Sequence, residues 1–178
     1  MRSGPTRPEE GVQVVQDEDL LLALLNSAPI VDGKKVDNLP GSAGRELTQQ
    51  FGGTGSQTEI AHLQRMRNAL HDVIRDQADA RAALDSLLRD AFLTPEVGPT
   101  GIKWELQTSS DERLAVRAAM AWSEVTERMP GRLRPCANTE CNLFLIDHSR
   151  PGSAKWCSMS TCGNRMKVRT HAHRRREV

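Results

Sequence analysis

The apolar positions along the chain change period several times, and each change marks an element. Leu20, Leu21, Leu22, Leu24 and Leu25 form the first apolar block. It predicts a helix opened by Asp17, Glu18 and Asp19 near its positive end and closed before Pro29. Turn-forming residues fill the stretch from Ser27 to Pro40, and a short helix is expected from Ser42 to Phe51, ahead of the break Gly52-Gly53-Thr54-Gly55. Ser56 and Glu59 have the S-x-x-E form of a capping box, and Ile60, Leu63, Met66, Leu70, Val73 and Ile74 follow at helical spacing, so a long amphipathic helix is predicted there. Asp79 is placed to cap a further helix whose stripe is Ala80, Ala83, Leu84, Leu87, Leu88 and Ala91. Residues 102–107 then alternate, with Ile102, Trp104 and Leu106 on one side and Lys103, Glu105 and Gln107 on the other. This pattern predicts a half-buried strand, paired through Gly98-Pro99-Thr100-Gly101 with the segment Leu93 to Val97 in a small hairpin. Ser109 and Glu112 repeat the capping box, and Leu114, Ala118, Ala121, Trp122, Val125 and Met129 make the cleanest helical stripe, stopped by Pro130-Gly131.

Composition adds the size of the core and a division of charge. Of 178 residues, 38% are hydrophobic, with three Trp, three Phe and no Tyr, so the core is built mainly from Leu, Ala, Val and Met. Residues 1–130 carry 14 Lys/Arg against 20 Asp/Glu, a net of −6, and residues 131–178 carry 10 against 3, a net of +7. The sequence therefore reads as a flexible lead-in over 1–16, a helical domain over 17–130 and a basic module over 131–178. Neither a signal-type apolar region nor a run of about 18 apolar residues is present, and a cytoplasmic protein without a membrane span is expected. The glycine cluster at 52–55 lacks the form of a phosphate-binding loop, His62 and His71 have no metal-ligand spacing, and no nucleophile stands with a base. An enzyme is not expected.

The chemistry concentrates in the basic module. Cys136, Cys141, Cys157 and Cys162 are the four cysteines of the chain, arranged as C-x4-C-x15-C-x4-C. Two short-range pairs can close a tetrahedral thiolate site with little loss of chain entropy, the arrangement of a structural Zn²⁺ site without an open position for substrate. Two disulfides or four separate buried thiols are the competing readings, and the expected reducing compartment disfavours the first. Cys136 and Cys141 flank a turn through Asn138, and Phe144, Leu145 and Ile146 predict a short strand beside the metal. Ser158 or Ser160 is placed to cap a helix from Met159 to Arg176, with Cys162 in its first turns and Arg165 helping to neutralise the thiolates. Along that helix Arg165, Arg169, His173 and Arg176 recur on one face, and Lys167, His171, Arg174 and Arg175 widen it. Such a rod, roughly 25 Å long, suits phosphate contact in or across a DNA groove. Gly163 and Asn164 are read as structural, the first allowing close approach and the second capping or bridging the knuckle. His148 is the alternative ligand in place of one cysteine, disfavoured by its distance from either pair.

Trp156-Cys157-Ser158-Met159 and Cys162-Gly163-Asn164-Arg165-Met166-Lys167-Val168-Arg169, together with Cys136, Cys141, Phe144, Asp147 and the basic tail, closely resemble the CGNR zinc finger of bacteria. In that family the finger follows a mostly helical ABATE domain, and the whole resembles regulators of transcription under stress. Where the family often carries an Asp-x-x-Asn-Thr-like stretch, this chain departs from the pattern and offers only Leu24-Leu25-Asn26-Ser27, so the resemblance assigns no site to the N-terminal domain. The resemblance implies a mainly α fold with a small β-hairpin, a helical regulatory domain and a treble-clef-like four-cysteine finger supported by Phe144 and Trp156. It also implies one structural zinc and a nucleoid-associated regulator that binds DNA. A homodimer, a small-molecule effector and a protein of the transcription machinery are the further partners expected. An interaction adaptor and a thiol redox sensor are the alternatives.

Overall fold

The computed structural model describes residues 9–174, with side chains described from 17 to 169. It is mainly helical, with three two-stranded antiparallel sheets. Helix α1 spans Glu9–Leu25, strands β1 (Ile30–Val31) and β2 (Lys34–Lys35) form a small hairpin, and α2 (Ser42–Gln50), α3 (Gln57–Ile74) and α4 (Ala80–Leu88) follow. A second hairpin pairs β3 (Phe92–Gly98) with β4 (Gly101–Gln107); then come α5 (Arg113–Arg128), β5 (Leu133–Pro135), β6 (Phe144–Ile146), a π-helical turn (Met159–Gly163) and α6 (Asn164–Arg174).

The core lies where α1, α3 and α5 meet. Leu20, Leu21, Leu24 and Leu25 of α1, Leu63, Met66 and Leu70 of α3, and Leu114, Ala118 and Val125 of α5 are buried together, each on the stripe that its helical spacing defines. Each such Leu contributes roughly 1.5–3 kcal/mol of burial, which outweighs the modest propensity of any single helix. Phe144 of β6 belongs to the same cluster, and Leu133 and Ile146 pack against it. The basic module is thus seated on the helical body, with no core of its own among these residues.

Several local expectations are corrected. Helix α1 begins at Glu9, so Asp17 to Asp19 lie within it and do not open it. The expected lead-in is therefore helical over 9–16, and its first eight residues lie outside the described ones. Asp17 accepts from Arg117 of α5, whose guanidinium also donates to the carbonyl of Phe51. The turn-rich stretch after α1 contains a hairpin, turned at Asp32 and Gly33, both at positive φ, the signature of an Asp-Gly turn. It is pinned from below by Arg67, buried in α3, which donates twice to Asp37 and once to Ser27. Ser56 does cap α3, accepting from Glu59 N at 2.9 Å, but the Glu59 carboxylate reaches past it to Gly55 N at 2.7 Å. At the second S-x-x-E no box forms: the Ser109 hydroxyl donates to the Glu112 carboxylate, the N-cap residue Glu112 makes no side-chain cap, and α5 starts at Arg113. Asp79 stands in the N-cap position of α4 in the left-handed region and makes no side-chain cap.

The β3–β4 hairpin has the predicted strands and turn but not the predicted burial. Trp104 keeps 62% of its surface exposed, Ile102 63% and Val97 90%, because the hairpin extends as an arm whose neighbour is chiefly itself. Period two reports that a strand has two unlike faces and is silent on what covers either.

Candidate metal centre

The antiparallel pair β5–β6 builds the first half of the centre. Cys136 follows β5 and its N–H donates to Leu143 O at 2.8 Å; Cys141 N donates to Asn138 O at 2.8 Å, which closes the knuckle between the two cysteines. The chain leaves β6 through a loop ordered by the buried carboxylate of Asp147. This group accepts from Ser149 N and Oγ at 2.9 and 2.6 Å, from Ala154 N at 2.9 Å and from Arg134. Ser149, then burial in opposition, then the Ala154 amide and Arg134, hold the Asp147 carboxyl down at about 2. Arg132 donates to the carbonyls of Asp147 and Ser149. The loop so fixed returns Lys155, whose carbonyl accepts from Ala137 N at 2.8 Å, and this delivers Cys157 back to the knuckle.

Cys162 arrives on the π-helical turn. Widening the helix by one residue there is a local feature that often marks a functional site. Gly163 allows a close approach: a Cβ would stand 2.7 Å from Met159 Sδ and 3.2 Å from Trp156 Cδ1, so the Met159 side chain packs directly over this face of the turn and would have to shift for any larger residue. Ser158 occupies the N-cap position without capping; its hydroxyl pairs with that of Ser160 at 2.7 Å, which corrects the expected cap. Asn164 is exposed, and the bridge expected from it comes instead from Asn138, which donates to Cys162 Sγ at 3.5 Å while its Oδ1 accepts from Glu140 N.

All four sulfurs lie within 4.8 Å of one another, and Cys141 and Cys157 are 3.7 Å apart. A disulfide needs about 2 Å, and the cysteines are free. Regular tetrahedral coordination at a Zn–S distance of about 2.3 Å sets sulfurs about 3.8 Å apart. By themselves the thiols resist joint ionisation: burial pushes Cys141 up to about 11 and Cys157 higher, whereas Cys162 is held low, against burial, by Asn138 and the neighbouring cysteines. Four sulfurs this close need a cation to ionise together. Backbone Cys157 N also points at Cys136 Sγ at 3.5 Å, so two sulfurs already have the N–H partners that orient metal thiolates. His148 turns away to Glu18 of α1 and is not among the ligands.

The centre is locked to the helical body through Phe144. Asn26, just past α1, accepts from Phe144 N at 2.7 Å and donates to Phe144 O at 3.2 Å, and Asn142 donates to Ala28 O. Arg75 lies 4.3 Å over the Phe144 ring and donates to Asn142, while His71 stands 4.5 Å from the ring and donates to Leu25 O. None of this lock was legible from spacing.

Helix α6 leaves the centre directly. Arg165, Lys167 and Arg169 are exposed, and Arg165 borders an open cleft of about 260 Å³ that also touches Cys141, Cys157 and Asn26. Arg169 is paired with Glu140 of the knuckle at 2.6 Å. The side chains of His171, His173 and Arg174, and the whole of Arg175 and Arg176, lie outside the described residues. No helix is long and apolar enough to cross a membrane among the described residues.

The family model described as CGNR zinc finger matches residues 132–175, the segment that carries all four cysteines. No curated protein matches the chain. The match and the donor set together point to zinc.

Proposed function

We propose that this protein is a zinc-dependent DNA-binding regulator of transcription in the cytoplasm and not an enzyme. One structural Zn²⁺, held by Cys136, Cys141, Cys157 and Cys162, neutralises half the thiolate charge and fixes the π-helical turn. Everything beyond that belongs to the chain. The observation that carries the reading is a cationic helix grown directly from the metal-fixed turn, its Arg165 and Lys167 exposed. Arginine offers a planar fork to phosphate or guanine and lysine a point charge, so the exposed face supplies both backbone positioning and a means of base contact. The finger is also anchored to α1 and α3 through Phe144, so α6 would be presented at a fixed angle to a helical body of opposite net charge. The acidic body disfavours wrapping of DNA and leaves the finger as the contact, with the helical domain free to receive a signal, whether a small-molecule effector or a protein of the transcription machinery.

The test is salt-dependent binding of the zinc-loaded protein to genomic DNA fragments. Arg165→Ala and Lys167→Ala are each expected to weaken binding and to flatten the log–log salt slope by about 1. Unchanged affinity and slope in both variants would exclude the helix as the DNA contact.

A further inference from the structure

The β3–β4 arm is the one large feature that neither the metal centre nor the core uses. Its register pairs Leu93 with Leu106, Pro95 with Trp104 and Val97 with Ile102, which places six apolar residues on one face. Thr94 with Glu105 and Glu96 with Lys103 fill the other. Monomers seldom expose apolar patches beyond a few hundred Å², and an isolated two-stranded ribbon is marginal in water. An arm of this kind gains most from a further strand.

The two edges of the ribbon differ. Pro95 has no N–H, so the strand carrying it tolerates it where that position faces outward, and the β3 edge is blocked there. Antiparallel alternation then makes Pro95 and Trp104 a non-hydrogen-bonded pair, so Trp104 turns its own N–H and C=O to the outer edge of β4. Among the described residues β3 alone pairs with β4.

That open edge reads Ile102-Lys103-Trp104-Glu105-Leu106, which is self-complementary when reversed. From this juxtaposition we infer that two copies of the chain associate by antiparallel pairing of β4 with β4, centred on Trp104. In this register Trp104 faces Trp104, Ile102 faces Leu106, and Lys103 of each copy faces Glu105 of the other at a close, non-hydrogen-bonded position. Two ribbons become one four-stranded sheet, and the two apolar stripes join across the new ladder. A strand from an unrelated protein would satisfy the edge, but only a second copy explains why the charges of this edge complement themselves. Pairing stands independently of what α6 binds, and it would present two such helices in one particle.

Exchanging the charges tests the register. In Glu105→Lys the introduced ammonium of each copy opposes Lys103 of the other, a like-charge contact made twice per dimer, and in Lys103→Glu two carboxylates are opposed in the same way. Each variant alone is expected to dimerise roughly tenfold or more weakly than the unaltered protein by sedimentation equilibrium. An equimolar mixture of the two is expected to recover a heterodimer, since both opposed pairs are then of opposite sign. Amide exchange in the unaltered protein supplies the second measurement: the N–H groups of Ile102, Trp104 and Leu106 should be protected when concentrated and exchange on dilution. The inference fails if the protein stays monomeric at all concentrations. It also fails if a dimer forms that ignores both charge changes, or if those three amides exchange alike at both concentrations.

Discussion

Asn138 is buried beside the sulfurs, and its two ends hold two parts of the centre: the amide N–H reaches Cys162, and Oδ1 receives the N–H of Glu140. Removing both contacts in Asn138→Ala should lower zinc affinity by about 10–100-fold, the usual cost of losing a partner behind a metal ligand, as read by competition with a chromophoric chelator. His71 shows the same economy in the body. It is buried, and its donation to Leu25 O at 2.8 Å places the proton on Nε2. Burial first, and the charges of Arg75 and Arg67 after it, push its pKa down from 6.5 to about 4. The folded state therefore keeps a neutral ring where the unfolded chain takes up a proton. Stability is complete above about 6.5, falls as pH drops toward 4 and levels off below it, with a total loss on the order of 3 kcal/mol. Comparing urea midpoints across this window in the unaltered protein and in His71→Gln isolates the effect, because metal loss on acidification is common to both. The variant should have the flatter profile.

At the scale of elements, the join between Asn26 and Phe144 does what a short ladder does, using one amide side chain to satisfy both backbone groups of a residue 118 positions away. Asn26→Ala leaves the N–H of a buried residue without a partner, a cost of about 1–3 kcal/mol. Because that residue begins β6, the loss should also quicken zinc release to a chelator, although no ligand is altered. Such a contact is invisible in sequence: Asn26 stands in the stretch that answers the family's Asp-x-x-Asn-Thr-like segment, but nothing in its spacing points to Phe144. The cysteine ligands were legible for the opposite reason, since each pair lies close enough along the chain for spacing to dictate geometry. The helices were legible where stripes and caps agreed, as in α3. They were misread where a motif had a second solution, as at Ser109, whose hydroxyl found a carboxylate in place of an N–H. The start of α1 was missed because Val12, Val14 and Val15 are indifferent helix formers and make no stripe.

For the whole molecule, the divided charge sets acidic body against basic finger, and the one described pair that brings an acid onto α6 lies within the finger itself. Glu140 holds Arg169 at 2.6 Å, and the arginine keeps the Glu140 carboxyl below its ordinary value, so the carboxylate carries its charge at neutral pH. A phosphate approaching α6 meets a carboxylate that repels it and competes for the same guanidinium. Exposed ion pairs are weak, which makes this one easy to displace, but the negative charge remains after displacement. Glu140→Gln keeps the size and the hydrogen-bonding ability of the side chain and removes only that charge. If α6 is the DNA contact, the variant should bind fragments more tightly at low salt with a log–log slope steeper by up to about 1, and the gain should fade as salt rises. Zinc content and thermal midpoint should stay near those of the unaltered protein, because Glu140 is exposed and its backbone N–H, not its carboxylate, is what Asn138 holds. An affinity that falls, or rises equally at all salt concentrations, would place the nucleic acid elsewhere on the surface.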